Sequence, residues 1–183
     1  MKKALFTLLA LAAFITPTLR AEDLDAATQA KVTAKIEAIK TWAADAAIVK
    51  AVKAQNEKLP AEFADMNQDT WKAAGILDPL VRSLTKNEAA AALKAKKSDS
   101  VGEAFLSAAD GTKVAFLTKP SNWSHKGKAK HDVPMTGKTW QGAVEVDEST
   151  GLRQIQVSVP VLDGDKAIGS LCVGLDLTKL KAE

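Results

Sequence analysis

Between residues 140 and 175 the chain reads W-Q-G-A-V-E-V-D-E-S-T-G-L-R-Q-I-Q-V-S-V-P-V-L-D-G-D-K-A-I-G-S-L-C-V-G-L, and no other stretch restricts the fold as much. Val144 and Val146 alternate with Glu145 and Asp147. Ile155, Val157, Val159 and Val161 alternate with Gln154, Gln156, Ser158 and Pro160. A period of two belongs to a strand with unlike faces, and a helix would scatter it. The clusters at 148–151 and 163–165 supply residues that tolerate tight-turn backbone angles. Residues 167–175 form a third apolar run interrupted only by small residues. The stretch predicts an antiparallel meander of three strands on which the rest must pack.

Two further strands precede it. Residues 103–106 and 113–117 flank Ala109-Asp110-Gly111, a strong hairpin signal. Residues 119–138 then form a polar excursion, and loops of that length in a compact domain are usually functional or mobile.

Before residue 101 the period is helical. Leu24, Thr28, Val32, Ile36, Ile39, Ala43, Ala46, Val49 and Val52 recur at three- and four-residue steps, opposite Lys31, Lys35, Glu37, Lys40 and Lys53. One continuous helix over 23–56 is expected, capped by Asp23 or Asp25 and on the order of 45–50 Å long. That exceeds what a small sheet needs, so part of it is free for a partner or for a homodimer. Pro60 ends this element. A short helix is expected within 61–75, capped by Asp65 or Asn67 and anchored by Trp71. Another starts at Asp78-Pro79, with Leu80, Val81 and Leu84 inward, and a third covers 87–95. The fold class is α+β, a five-stranded antiparallel sheet with a long N-terminal helix and short helices packed on it.

The 183 residues suit one domain with a modest core, but the first 21 stand apart. Lys2-Lys3, an apolar run over 4–15 and a polar exit at 17–21 have the organisation of a secretory signal peptide, with cleavage expected after Leu19-Arg20-Ala21. The run is roughly half of the ~20 residues that a membrane-spanning helix needs. No cysteine follows it, which excludes lipoprotein attachment. Residues 22–183 are then a single domain, helical over 22–100 and sheet over 101–183, in the periplasm or outside the cell. The whole chain has 25 Lys and Arg against 22 Asp and Glu, and the leader contains three of the basic residues and no acid. A balanced domain gives no reason to expect nucleic acid. Cys172 is the single cysteine, so an intramolecular disulfide is excluded. Lying mid-strand between Leu171 and Val173, it is expected to be a buried, inert thiol.

Candidate binding residues come from two places. The excursion holds Lys119, Lys126, Lys128, Lys130 and Lys138 against the single acid Asp132, with Trp123, His125 and His131. Folded over a pocket, Lys126, Lys128 and His131 would offer donors to a carboxylate or phosphate, and Trp123 an apolar wall; a solvated loop has the same composition. On the fourth strand Gln154, Gln156 and Ser158 share one face, which suits a polar pocket or a wet surface. Arg153, at that strand's start, suits a bidentate pairing with a carboxylate or a place on the surface. His125 and His131 are six residues apart and match no helical or zinc spacing, so no metal is expected. The absence of C-x-x-C-H excludes covalent haem, and no cofactor is expected. No nucleophile elbow, phosphate loop or metalloprotease pattern appears, which points to binding rather than catalysis.

The segments F-L-S-A-A-D-G-T-K-V-A and, above all, S-V-P-V-L-D, I-G and L-x-V-G-L-D between Ser158 and Asp176 resemble the extracytoplasmic Cache, or PAS-like, sensor domains of bacterial chemoreceptors and sensor kinases. The resemblance covers essentially all of residues 22–183. It implies a PAS-like sheet whose concave face, with the connection between the second and third strands, encloses a small polar metabolite such as an organic acid or amino acid. It also implies that Asp176 lies near that pocket. Such domains commonly sit between two membrane helices, whereas this sequence ends just past the last expected strand. A stand-alone module acting through a membrane receptor or kinase is therefore expected. The alternative is a secreted interaction protein that keeps the fold without a working pocket.

Overall fold

The computed structural model describes residues 24–146 and 152–183. The leader at 1–21 and the turn expected at 148–151 lie outside them. Helices α1 (Ala26–Ala43), α2 (Ala46–Glu57), α3 (Gln68–Ala73), α4 (Pro79–Ser83) and α5 (Glu88–Lys96) come first. Strands β1 (Val101–Ala108) and β2 (Lys113–Phe116), a short helix α6 (Ala129–Asp132), β3 (Trp140–Val146), β4 (Arg153–Asp163), β5 (Lys166–Asp176) and α7 (Leu177–Ala182) follow. The strands form one antiparallel sheet in the order β2-β1-β5-β4-β3. Hairpin and meander both form, and pairing of β1 with β5 joins them. The connection from β2 to β3 therefore travels from one edge of the sheet to the other.

Alternation gives the sheet two unlike faces. Ala104, Leu106, Ala108, Ile155, Val157, Val159, Val161, Leu171, Val173 and Leu175 share one side, each at most 1% exposed. Val32, Ile36 and Ile39 of α1 and Ile48 and Val52 of α2 pack on them in one cluster, joined by Leu93 of α5. Gly169 marks the closest approach. A Cβ there would stand 2.4 Å from the Ser107 carbonyl oxygen and 2.8 Å from Val52 Cγ1, so β5 admits no side chain at that point.

The N-terminal helix is interrupted where the periodicity predicts continuity. Asp45 has extended backbone angles, and its carboxylate accepts from the Ala47 N–H at 2.9 Å, which starts α2 afresh. An aspartate inside a helix competes for backbone donors in this way, and burial periodicity carries no record of it. Its second oxygen pairs with Lys96 of α5 at 2.9 Å. At 18 residues α1 spans about 27 Å, which the sheet can cover. Asp25, Asn67, Asp78 and Asn87 cap α1, α3, α4 and α5. The last helix, α7, is unheralded in the sequence because six residues are too few to show a period.

Asp45→Ala removes the cap and the Lys96 partner together. We expect a loss of about 1 kcal/mol, read as a lower thermal midpoint; an unchanged midpoint would show that the break does not depend on Asp45.

Candidate functional site

The opposite phase of the strands builds a different surface. It comprises Glu103, Phe105 and Ser107 on β1, Lys113 and Phe116 on β2, Gln154, Gln156 and Ser158 on β4, and Ser170, Cys172, Gly174 and Asp176 on β5. Most of these side chains are polar, yet the face is shielded from water. Lys113 and Ser158 are fully buried, Asp176 is 3% exposed and the two glutamines 8%.

An aromatic cover does the shielding. Phe63, Trp71, Val81, Leu84 and Trp123 pack with Phe105, Phe116 and Cys172 in a second core. Trp71 anchors it: its Nε1 donates to the Pro120 carbonyl at 2.8 Å, and its ring meets Phe116 edge-on at 5.8 Å. Lys119 Nζ donates to the Trp71 carbonyl and lies 4.5 Å above the Trp71 ring.

Inside this cover lies a dry, basic end. Lys113 Nζ donates to Ser107 Oγ and the Gly111 carbonyl, both at 3.0 Å, and burial lowers its pKa to about 7. His125 stacks on Phe105 at 4.7 Å, and its Nδ1 is buried without a hydrogen-bond partner. Burial, reinforced by Lys113, Lys130 and His131 nearby, drives the His125 pKa down to about 3. His131 Nδ1 lies 2.8 Å from Ser170 Oγ, and burial lowers its pKa as well. The Cys172 thiol is pushed up to about 12 by burial and is chemically quiet.

The outer end opens as a cleft of about 670 Å³. Glu103, Glu145 and Asp176 line it together with Lys119, Lys130, Gln154 and Gln156. Glu103 and Gln156 are both register partners of Gly174, which lies between them on β5. A Cβ at Gly174 would come within 2.6 Å of Glu103 Cγ, so the missing side chain lets the flanking ones meet above it. There Gln156 Nε2 donates to Glu103 Oε1, and Lys130 Nζ donates to Gln156 Oε1. Asp176 has two tasks: one oxygen caps α7 through the N–H groups of Thr178 and Lys179, while the residue forms part of the cleft wall.

Of the residues singled out in the sequence, Gln154, Gln156 and Asp176 line the cleft. His131 belongs to the dry end and Trp123 to the aromatic core, stacked on Phe63 at 5.4 Å. Arg153 is exposed at the start of β4 and does not line the cleft. Lys126 and Lys128 are exposed as well, and the connection sends Lys119 and Lys130 to the cleft instead. Lys130 lies on α6, which docks on the sheet through His131, whereas Lys126 and Lys128 flank the left-handed Gly127 in a turn. Glu103 and Lys113 escaped sequence reading, although strand phase identifies Glu103 two residues before Phe105. Among the described residues no three His, Cys, Asp or Glu side chains converge on a metal geometry. No helix there is long and apolar enough to cross a membrane.

Solved structures share this fold. The sensor domain of E. coli DcuS matches with a TM-score of 0.51 at 12% identity, over 86% of this chain and 97% of that one. The sensor domain of the V. cholerae histidine kinase DctB matches with a TM-score of 0.50 at 14% identity, over 85% of this chain and 54% of that one. The chain has the fold of a Cache-type sensor domain. It spans nearly all of the DcuS domain and about half of the DctB domain. No family model matches the sequence, and neither does any curated protein. The polar sheet face and the β2–β3 connection meet at the cleft.

The dry end makes stability depend on pH. In the unfolded chain His125 and His131 titrate near 6.5, and the fold holds both neutral at lower pH. Acid therefore protonates the unfolded state first. The His125 contribution is intact above about pH 6.5 and is lost as pH falls towards 3, by at most about 1.4 kcal/mol per pH unit, and His131 acts in the same direction. We expect the urea midpoint to fall between pH 7 and 4, and His125→Phe, which keeps the stack on Phe105, to flatten that slope. An equal slope in the variant would contradict the assignment.

Proposed function

We propose that residues 22–183 form one extracytoplasmic binding module, exported by the leader at 1–21. It would take a small zwitterionic metabolite into the cleft and act through a membrane receptor or kinase. The observation behind this reading is the order of charge in the site. Glu103, Glu145 and Asp176 line the cleft as acids that suit an ammonium group, and Lys119 and Lys130 line it as bases that suit a carboxylate. A dicarboxylate would meet the same three acids uncompensated, so an amino acid suits the cleft better than a di-acid. About 670 Å³ is ample for such a ligand. The shared fold supports a sensory role, and DctB, described as a histidine kinase, is an example of the kind of partner.

A second reading is an interaction protein that keeps the fold without a working pocket. It draws on the Lys130–Gln156–Glu103 chain, which satisfies the centre of the cleft internally. A homodimer through the N-terminal helix draws no support from α1, whose apolar residues face the sheet.

Thermal shift and native mass spectrometry with L-alanine, L-leucine, L-glutamate, γ-aminobutyrate and succinate separate the two. On the sensor reading an amino acid at a hundred times its Kd stabilises the fold by about 2.7 kcal/mol, and succinate does not. Lys130→Met should weaken that binding at least tenfold, the worth of a hydrogen bond to a charged group. No shift with any of the five would favour the interaction protein.

A further inference from the structure

The centre of the cleft already has an occupant, and it belongs to the chain. We infer that Lys130 and Glu103 form the recognition pair for a ligand's head group, and that Gln156 is a resident stand-in which the ligand displaces. This inference rests on the zwitterion reading above.

The Gln156 amide offers its carbonyl to Lys130 Nζ and its N–H to Glu103 Oε1. One small neutral group thus gives the cation an acceptor and the anion a donor. An α-amino acid presents the same two functions on adjacent carbons, with a charge on each. The amide meets each ion with a dipole, whereas the ligand meets it with an opposite charge, so Coulomb attraction favours the ligand at both ends. The floor beneath is bare because Gly174 has no side chain, and Glu103 Cγ leans over that position. When Gln156 swings away, a ligand's main-chain atoms have a flat surface to lie on.

The three groups come from different elements, Glu103 from β1, Gln156 from β4 and Lys130 from α6. Head-group exchange therefore acts on the seat of α6, whose next residue, His131, is tied to Ser170 on β5. The pair also sets specificity. Succinate has no donor for Glu103, a simple amine has no acceptor for Lys130, and γ-aminobutyrate holds its two charges too far apart to replace one amide.

Reductive methylation of lysines, mapped by peptide mass spectrometry on the secreted protein, measures how free the Lys130 amine is. In the wild type Lys130 should react several-fold more slowly than the exposed Lys126 and Lys128. Gln156→Met, which keeps the volume and removes both amide bonds, should bring Lys130 close to their rate. L-alanine or L-leucine should then protect it again and bind the variant about tenfold more tightly than the wild type, while succinate and propylamine give no protection. Gln156→Ala reads the same quantities if the methionine variant fails to fold. Unchanged Lys130 reactivity, or weaker amino-acid binding in the variants, overturns the stand-in and leaves the zwitterion reading in place. Faster labelling with no amino acid bound by variant or wild type overturns both.

Discussion

The structure depends on a sheet that is buried on both faces while only one of them is apolar. Ile155, Val157, Val159 and Val161 need nothing beyond contact with α1 and α2, and burial alone stabilises them. Their neighbours Gln154, Gln156 and Ser158 are removed from water almost as completely, and a buried polar group without a partner costs on the order of 1–3 kcal/mol. The remaining architecture supplies those partners. Ser158 Oγ donates to the Leu171 carbonyl within the sheet, Gln156 bonds to Glu103 and Lys130, and Ser170 meets His131.

Those partners are remote in sequence, so the long β2–β3 connection has to cross the sheet in a definite course. Trp71 and Gln68 of α3 direct it, Trp71 through Pro120 and Gln68 through Ser121 and Trp123. The aromatic cluster of Phe63, Trp71, Trp123 and Phe116 is thus the clamp that lays polar residues against a polar face. It also excludes water from Lys113 and His125, whose depressed pKa values follow from that dryness. Where the aromatic cover stops, the same polar face opens as the cleft. The charged residues that line it belong to neither core.

A site of this kind combines firmness and exchange. The residues on β1, β4 and β5 are held by a sheet ladder with an apolar core behind it, and preorganisation of that sort lowers the cost of binding. Lys119 and Lys130 arrive on the connection, which rests on the sheet through side-chain bonds and aromatic packing. Asp176 links the cleft to α7, so the chain's last helix is capped by a residue that also borders the site. The sheet thus provides a fixed floor and the connection a separately seated cover.

How much of this the sequence shows depends on the range of the interaction. Period-two alternation at 153–161, the Ala109-Asp110-Gly111 turn and the Asp78-Pro79 start are local, and they specify the hairpin, the meander and the short helices. The same alternation places Gln154 and Gln156 on one face, which is why they were legible as site residues. Asp45 is legible only as a potential cap, and its pairing with Lys96 depends on where α5 lies. The choice of Lys119 and Lys130 over Lys126 and Lys128, and the loss of Trp123 to the core, were settled by where α3 and β5 hold the connection. Glu103 and Gln156 are 53 residues apart and meet only because Gly174 lies between them on β5. The sequence by itself determined the strands, their phases and most of the caps, because those follow from backbone geometry and side-chain period. Tertiary structure alone decided which charges face one another, because a pairing across strands is set by register and packing and leaves no mark in local order.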